Sequence, residues 1–394
     1  MKRLFLFLFS LVLLTGALIC AFLFLGLPSI TAHQQYGVTF SAPYASSLGL
    51  DPKATLDTAI TELGVKHFRI PVYWSTVERE KDRWDFSEID WQLDKIRAAG
   101  GTATLVVGRK QPRWPECWMP EWSKSFSFEG QEVHVLRTIR ETIDRYKTDS
   151  VVQDWQVENE PMLPFGDCRM PGISTVFQEV ALVRALDPTH PVVSTESGEL
   201  AIWAGVGNIV DRLGVSVYRT VRNPMLGNAN LHYWFVMPFT YRRKAELVKP
   251  FGVQDVYISE FQMEPWSNKD LLQTPIAEQE LIFSPSQMRD NFSFAGRMAI
   301  HQIDFWGIEW WIWMRDHGHP EYLDIAKKMW KSDTSTYRRK TSASATRHSR
   351  AGGKPVQIKN ENNGSFMFDF LSVLDPRLRG NDVNIPFSHR EDTS

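Results

Sequence analysis

The 394-residue chain holds only three cysteines, at positions 20, 117 and 168. That is too few for a disulfide scaffold, and none has the Cys-x-x-Cys spacing of a structural zinc site. An excess of charge is also missing: Lys+Arg 44 against Asp+Glu 46 leaves a net charge of -2, so nothing global argues for nucleic acid as a partner. There is no Walker motif, and Gly37-Val-Thr-Phe-Ser-Ala-Pro43, after the first strand-like run, lacks the glycines of a dinucleotide fingerprint. His317-Gly-His319 has no Cys or carboxylate at ligand spacing and precedes a helix start at Pro320-Glu321, so it reads as a loop. No metal and no cofactor is expected. The composition, 43% hydrophobic and 23% charged, excludes a wholly disordered chain. What the chain has in surplus is tryptophan, 15 residues, beside 24 Phe and 10 Tyr.

The two ends differ from the middle. Lys2 and Arg3 precede an uncharged run from Leu4 to Leu27, broken only by Ser10, Thr15 and Gly16. At ~1.5 Å per residue this run spans ~36 Å, enough for a ~30 Å hydrocarbon core. It reads as a membrane anchor over 1–33, or as a signal peptide cleaved after Ala32; its length favours the anchor. In either case the remainder is exported, as an extracytoplasmic domain or a secreted one. After Trp330 the chain becomes basic and poor in apolar residues, so 332–394 is expected to be a disordered tail. Within it, Leu374–Asp382 resembles translated palindromic repeat DNA, which marks the tail as an extension without function.

Between the ends, short apolar runs alternate with helical patterns. Strands are expected at Gly37–Ser41, His67–Val72, Thr102–Val107, Val151–Val157, Pro191–Thr195, Leu213–Tyr218, Asp255–Ser259 and Ile303–Trp311. Several lack strict alternation, as parallel strands covered on both faces do. Asp51 with Pro52 starts a helix that Gly64 stops; later helices are fainter, and 219–250 reads as irregular. Eight such units over 34–331 suit a (β/α)8 TIM barrel, an α/β fold whose functional residues lie at the carboxyl ends of the strands.

Those strand ends carry Arg69, Asn159-Glu160-Pro161, Tyr218, Ser259-Glu260 and the aromatic run Trp310-Trp311-Ile312-Trp313. Each is weak alone. Together they place two carboxylates at one mouth, where one can stay protonated while the other stays ionised. That is the division of labour required to cleave a glycosidic bond. On these residues, 34–331 resembles a clan A glycoside hydrolase, closest in style to the cellulase-like family 5.

The resemblance implies that Glu160 is the general acid/base and Glu260 the nucleophile of a retaining glycoside hydrolase. It implies that Asn159 binds the sugar 2-hydroxyl, that Arg69 and Tyr218 orient the nucleophile, and that Trp311 forms the floor under the cleaved sugar. A catalytically silent glycan-binding barrel and a transglycosylase are the alternatives. Read from physics alone, Arg69 keeps Glu260 charged and Tyr218 donates to it. Glu158, two residues before Glu160, should face the same side one layer deeper.

Carbohydrate clefts use aromatic platforms, and Trp114, Trp118, Trp122 and Trp266 fall in loops on the catalytic face, with Trp74 a further candidate. Glu196 and Glu199 either bind sugar hydroxyls or cap the next helix. With Cys20 in the apolar run, Cys117 and Cys168, in neighbouring loops of an exported domain, are expected to pair. The expected partners are a carbohydrate substrate and, through residues 4–27, a membrane.

Overall fold

The computed structural model describes residues 2–25, 34–167, 169–223, 229–267 and 269–331. The predicted tail, 332–394, lies outside the described residues.

Eight parallel strands close into a barrel: Gln35–Thr39, His67–Pro71, Thr102–Val107, Val152–Val157, Val192–Ser197, Arg212–Val217, Asp255–Gln262 and Gln302–Trp306. The first pairs with both the second and the eighth, so no edge is left to recruit another chain. All eight expected strands are present. The helices between them start where local chemistry requires. Asp51 Oδ1 accepts from Lys53 N at 2.8 Å and Pro52 opens Pro52–Thr58; Ser127 Oγ accepts from Gly130 N at 3.1 Å to start Phe128–Tyr146.

Two expectations are corrected. The eighth strand ends at Trp306, not Trp311, and the helix Ile308–Asp316 begins two residues later. The reason is Gly307, at φ +129°, where a Cβ would lie 2.9 Å from Glu264 Cβ and 3.0 Å from the Met263 carbonyl oxygen. Only glycine fits there, and the backbone turns from strand into helix. The segment 219–250 is more ordered than its sequence suggests: Thr220–Asn223 pairs antiparallel with Ala229–His232, and Pro238–Val248 is helical.

A register irregularity matters for the site. Val215 pairs with Ile258, but Ser216 pairs with Glu260, so Ser259 is an extra residue on the seventh strand. Such a bulge re-aims the side chain that follows it. Beneath the mouth lies a buried polar layer, in which Arg212 holds Asp154 at 2.6 Å and His67 faces Asp304 at 3.8 Å.

The N-terminal run is one helix, Lys2–Phe24, whose segment Phe5–Phe24 has a mean hydropathy of 2.7 and is not buried by the rest of the protein. It is long and apolar enough to cross a membrane. Cys20 in it is a free thiol.

Candidate active site

Arg69 is the hub of the mouth. It is fully buried in the middle of the second strand. Its Nη1 donates to Glu260 Oε1 at 2.6 Å, Nη2 to Asn159 Oδ1 at 2.7 Å and Nε to Gln156 Oε1 at 2.7 Å. A guanidinium can do this because its donors form a rigid planar fork. Tyr218 Oη donates to the other oxygen of Glu260 at 2.8 Å, so both carboxylate oxygens are engaged.

Glu160 sits across the mouth with different neighbours. Ser216 Oγ donates to its Oε1 at 2.6 Å, and its backbone N–H donates to Thr195 Oγ1 at 2.8 Å. Burial, and then the facing charge of Glu260, push its carboxyl up to about 7. Asn159 Oδ1 also accepts from Thr195 Oγ1 at 3.1 Å, so its oxygen is held by two protein donors. Thus Arg69, Asn159, Glu160, Tyr218 and Glu260 come together as the sequence suggested.

The backbone at Glu158 and Glu160 is left-handed, with φ of +57° and +44°. Such conformations cost about 1–3 kcal/mol each and persist only where the surroundings impose them. At Glu158 this corrects the expected orientation. Its carboxylate turns away from the mouth, and Oε1 and Oε2 accept from the backbone N–H groups of Arg109 (2.8 Å) and Lys110 (2.6 Å). Gly108 makes this possible, since at φ +115° its Cβ would lie 2.7 Å from Glu158 Oε1.

The loop after the third strand holds residues the sequence did not single out. Lys110 is fully buried and ion-paired with Glu116, while its carbonyl accepts from Asn159 N at 2.7 Å. Burial pushes the Glu116 carboxyl up to about 8, against the pull of Lys110 and with the help of Glu160 and Glu260. Arg113 lies between the rings of Tyr44 (3.8 Å) and Trp306 (4.0 Å) and is paired with Glu264 and, at 2.7 Å, with Glu309. Nothing in single-sequence spacing links Lys110 to Glu116 or Arg113 to Glu309; the loop brings them together.

The aromatic candidates divide. Trp114 is 62% exposed and meets Phe165 at 6.0 Å; Phe165 meets Trp266 at 5.3 Å, and Trp266 packs edge-on to Tyr218 at 4.7 Å. These form a rim leading to Glu260. Trp311, expected as the floor, exposes no face: it is fully buried, in the helix after the eighth strand, and donates to the Met263 carbonyl at 2.7 Å. Trp306 is the last residue of the eighth strand, with the Arg113 guanidinium over its ring. Trp118 packs on Tyr73 and Trp122 on Trp74, so these are packing residues.

Glu196 caps backbone, accepting from Trp203 N at 3.2 Å and Val206 N at 3.1 Å. Glu199 accepts from Tyr241 Oη. Cys117 is disulfide-bonded; its expected partner Cys168 lies outside the described residues. Among the described residues, two groups away from Glu160 and Glu260 bring ligand-type atoms within 4.8 Å of one another, Glu78/Asp82/His134 and Glu280/His319/Glu321. The second corrects the view that His319 lacks carboxylate neighbours, since Glu280 arrives from another helix, at 3.0 Å.

No family model matches the chain, and no curated protein matches it in sequence. Solved structures do match. A β-galactosidase from the psychrophilic Marinomonas ef1 is 13% identical over 69% of this chain and 54% of its own, with a TM-score of 0.50. A family 5 glycoside hydrolase from Bifidobacterium longum, in complex with Manβ1-4GlcNAc, is 13% identical over 70% of this chain and 68% of its own, also with a TM-score of 0.50. The chain spans about half the length of the galactosidase. It has the closed (β/α)8 barrel fold of these clan A glycosidases.

Proposed function

We propose that the protein is a retaining glycoside hydrolase that cleaves β-linked oligo- or polysaccharides through Glu160 and Glu260, in the style of family 5. The observation that carries this reading is the asymmetry of the pair. Glu160 is buried, held by one hydroxyl and raised to about 7, so it keeps a proton to give to the leaving oxygen. Glu260 has a guanidinium on one oxygen and a phenol on the other, the surroundings of an oriented anionic nucleophile.

In the first step Glu260 attacks the anomeric carbon while Glu160 protonates the departing glycosidic oxygen, leaving a covalent glycosyl-enzyme. In the second, Glu160 takes a proton from water, which attacks the same carbon and frees Glu260. The amide donor end of Asn159 reaches the 2-hydroxyl of the reacting sugar. Trp114 and Trp266 supply apolar faces for sugars further along the cleft. That both structural neighbours are named for β-linked glycans supports the substrate class and leaves the sugar open.

The test uses aryl β-glycosides and the variants Glu260→Gln and Glu160→Gln. Glu260→Gln abolishes turnover with every leaving group. Glu160→Gln spares the first step for good leaving groups, stalls at the intermediate and is rescued by azide as a β-glycosyl azide. An initial product of inverted configuration, or equal response of both variants to leaving group, overturns the assignment.

A further inference from the structure

Five large apolar side chains stand exposed on two neighbouring loops of the catalytic face. Leu200 (67%) and Ile202 (80%) follow the fifth strand; Trp234 (77%), Phe235 (46%) and Met237 (42%) lead from the hairpin after the sixth strand into the helix Pro238–Val248. The loops are tied together by Lys244 of that helix, whose Nζ donates to the carbonyl of Gly198 at 2.9 Å and to that of Ala201. An apolar cluster of this size on a surface marks a contact with something else.

The same helix receives the end of the N-terminal apolar helix. Thr240 Oγ1 donates to the Leu23 carbonyl at 3.1 Å, and Arg243 donates to the carbonyls of Phe22 and Leu25. The last carbonyls of a helix have no partners within it, and a cation there also complements the helix dipole. Arg243 additionally lies over the rings of Phe22 (5.1 Å) and Phe239 (4.9 Å). The point where a span over 5–24 would leave a bilayer is therefore fastened beside the apolar loops.

We propose that Leu200, Ile202, Trp234, Phe235 and Met237 form a second membrane contact, seated in the interfacial layer of the bilayer that residues 5–24 cross, with the barrel mouth opening against that surface. The composition favours lipid over a sugar platform. Leu200, Ile202 and Met237 offer no flat ring to a sugar, whereas aliphatic side chains beside an exposed Trp suit the boundary between headgroups and acyl chains. The glycans such a mouth meets first are those carried at the membrane surface. The proposal requires that the N-terminal helix is retained, and it does not depend on hydrolytic activity.

The experiment places the full chain, in a Cys20→Ser background, in vesicles of phosphatidylcholine and phosphatidylglycerol. Nitroxides are attached, without reductant, at Ile202→Cys or Trp234→Cys, and at Phe251→Cys just beyond the opposite end of the same helix, where the native side chain is 62% exposed. The expected result is that labels at 202 and 234 collide severalfold more often with oxygen than with a water-soluble nickel chelate, and that the label at 251 shows the reverse. Aqueous signatures at all three positions overturn the proposal. An aqueous signature at 234 that is lost on adding oligosaccharide assigns the patch to glycan binding instead, and recovery of the chain in the supernatant, with its helix removed, also overturns it.

Discussion

Ser216 Oγ, at the end of the sixth strand, stands 2.6 Å from Glu160 Oε1, and in the barrel register Ser216 is paired with Glu260. One small hydroxyl thus engages Glu160 from a strand whose backbone lies beside Glu260. Burial and Glu260 push Glu160 up to about 7. Its protonated form therefore persists to near neutrality, and activity that needs the acid should fall as pH rises through about 7. The same shift carries a stability consequence. The folded state holds a proton that the unfolded chain has lost above about 4.5, so this contribution is full below about 4.5 and is lost as pH rises to about 7. Glu160→Gln should remove about 1–3 kcal/mol of that pH dependence. Thermal unfolding from pH 5 to 8 checks it: the wild type should lose more Tm than the variant.

Lys110 should act on Glu160 through charge. Its ammonium lowers the proton affinity of Glu160 and is the partner of Glu116. Lys110→Met should move the alkaline limb of the pH–rate profile upward, because it removes a nearby cation that favours the charged form of Glu160. A lower rate with an unmoved limb would mean that Lys110 only packs.

Arg69 separates packing from geometry. Arg69→Met leaves Glu260, Asn159 and Gln156 without their shared donor and should cost about 3–5 kcal/mol, the usual cost of removing one partner of a buried charge pair. Arg69→Lys keeps the charge but cannot place three donors in one plane. It should stay folded and lose about 100-fold or more in kcat/KM, the scale expected when a reacting group is misplaced by about 1 Å. Melting curves and steady-state kinetics distinguish the two effects.

The tryptophans predict opposite outcomes. Trp311→Ala should destabilise by about 3–5 kcal/mol and leave kcat per folded molecule unchanged, because the ring is wholly buried. Trp114→Ala should leave Tm unchanged and raise KM for long substrates only, because the ring is 62% exposed at the rim. Comparing short aryl glycosides with longer oligosaccharides reads this directly.

The barrel was legible in the sequence because its strands are continuous β-branched and aromatic runs, buried on both faces, and their period does not depend on the rest of the chain. The site residues Arg69, Asn159, Glu160, Tyr218 and Glu260 followed from those runs, since a strand ends where its apolar run meets polar residues. The eighth strand was misjudged because an aromatic run fits a buried strand and a buried helix equally well; the φ of Gly307 and the close approach of Met263 and Glu264 decide between them.

Other features belong to tertiary structure alone. The bulge at Ser259 exists because the seventh strand must satisfy both neighbours around a closed ring. The left-handed backbone at Glu158 is held by N–H groups from a different loop, which turn its side chain away from Glu160. Lys110 finds Glu116, and Arg113 finds Glu309, through loop paths that no periodicity encodes. Residue types and spacing determined which side chains stand at the mouth. Their proton affinities and partners were decided by burial and by neighbours distant in the chain, because electrostatic interactions depend on distance in space.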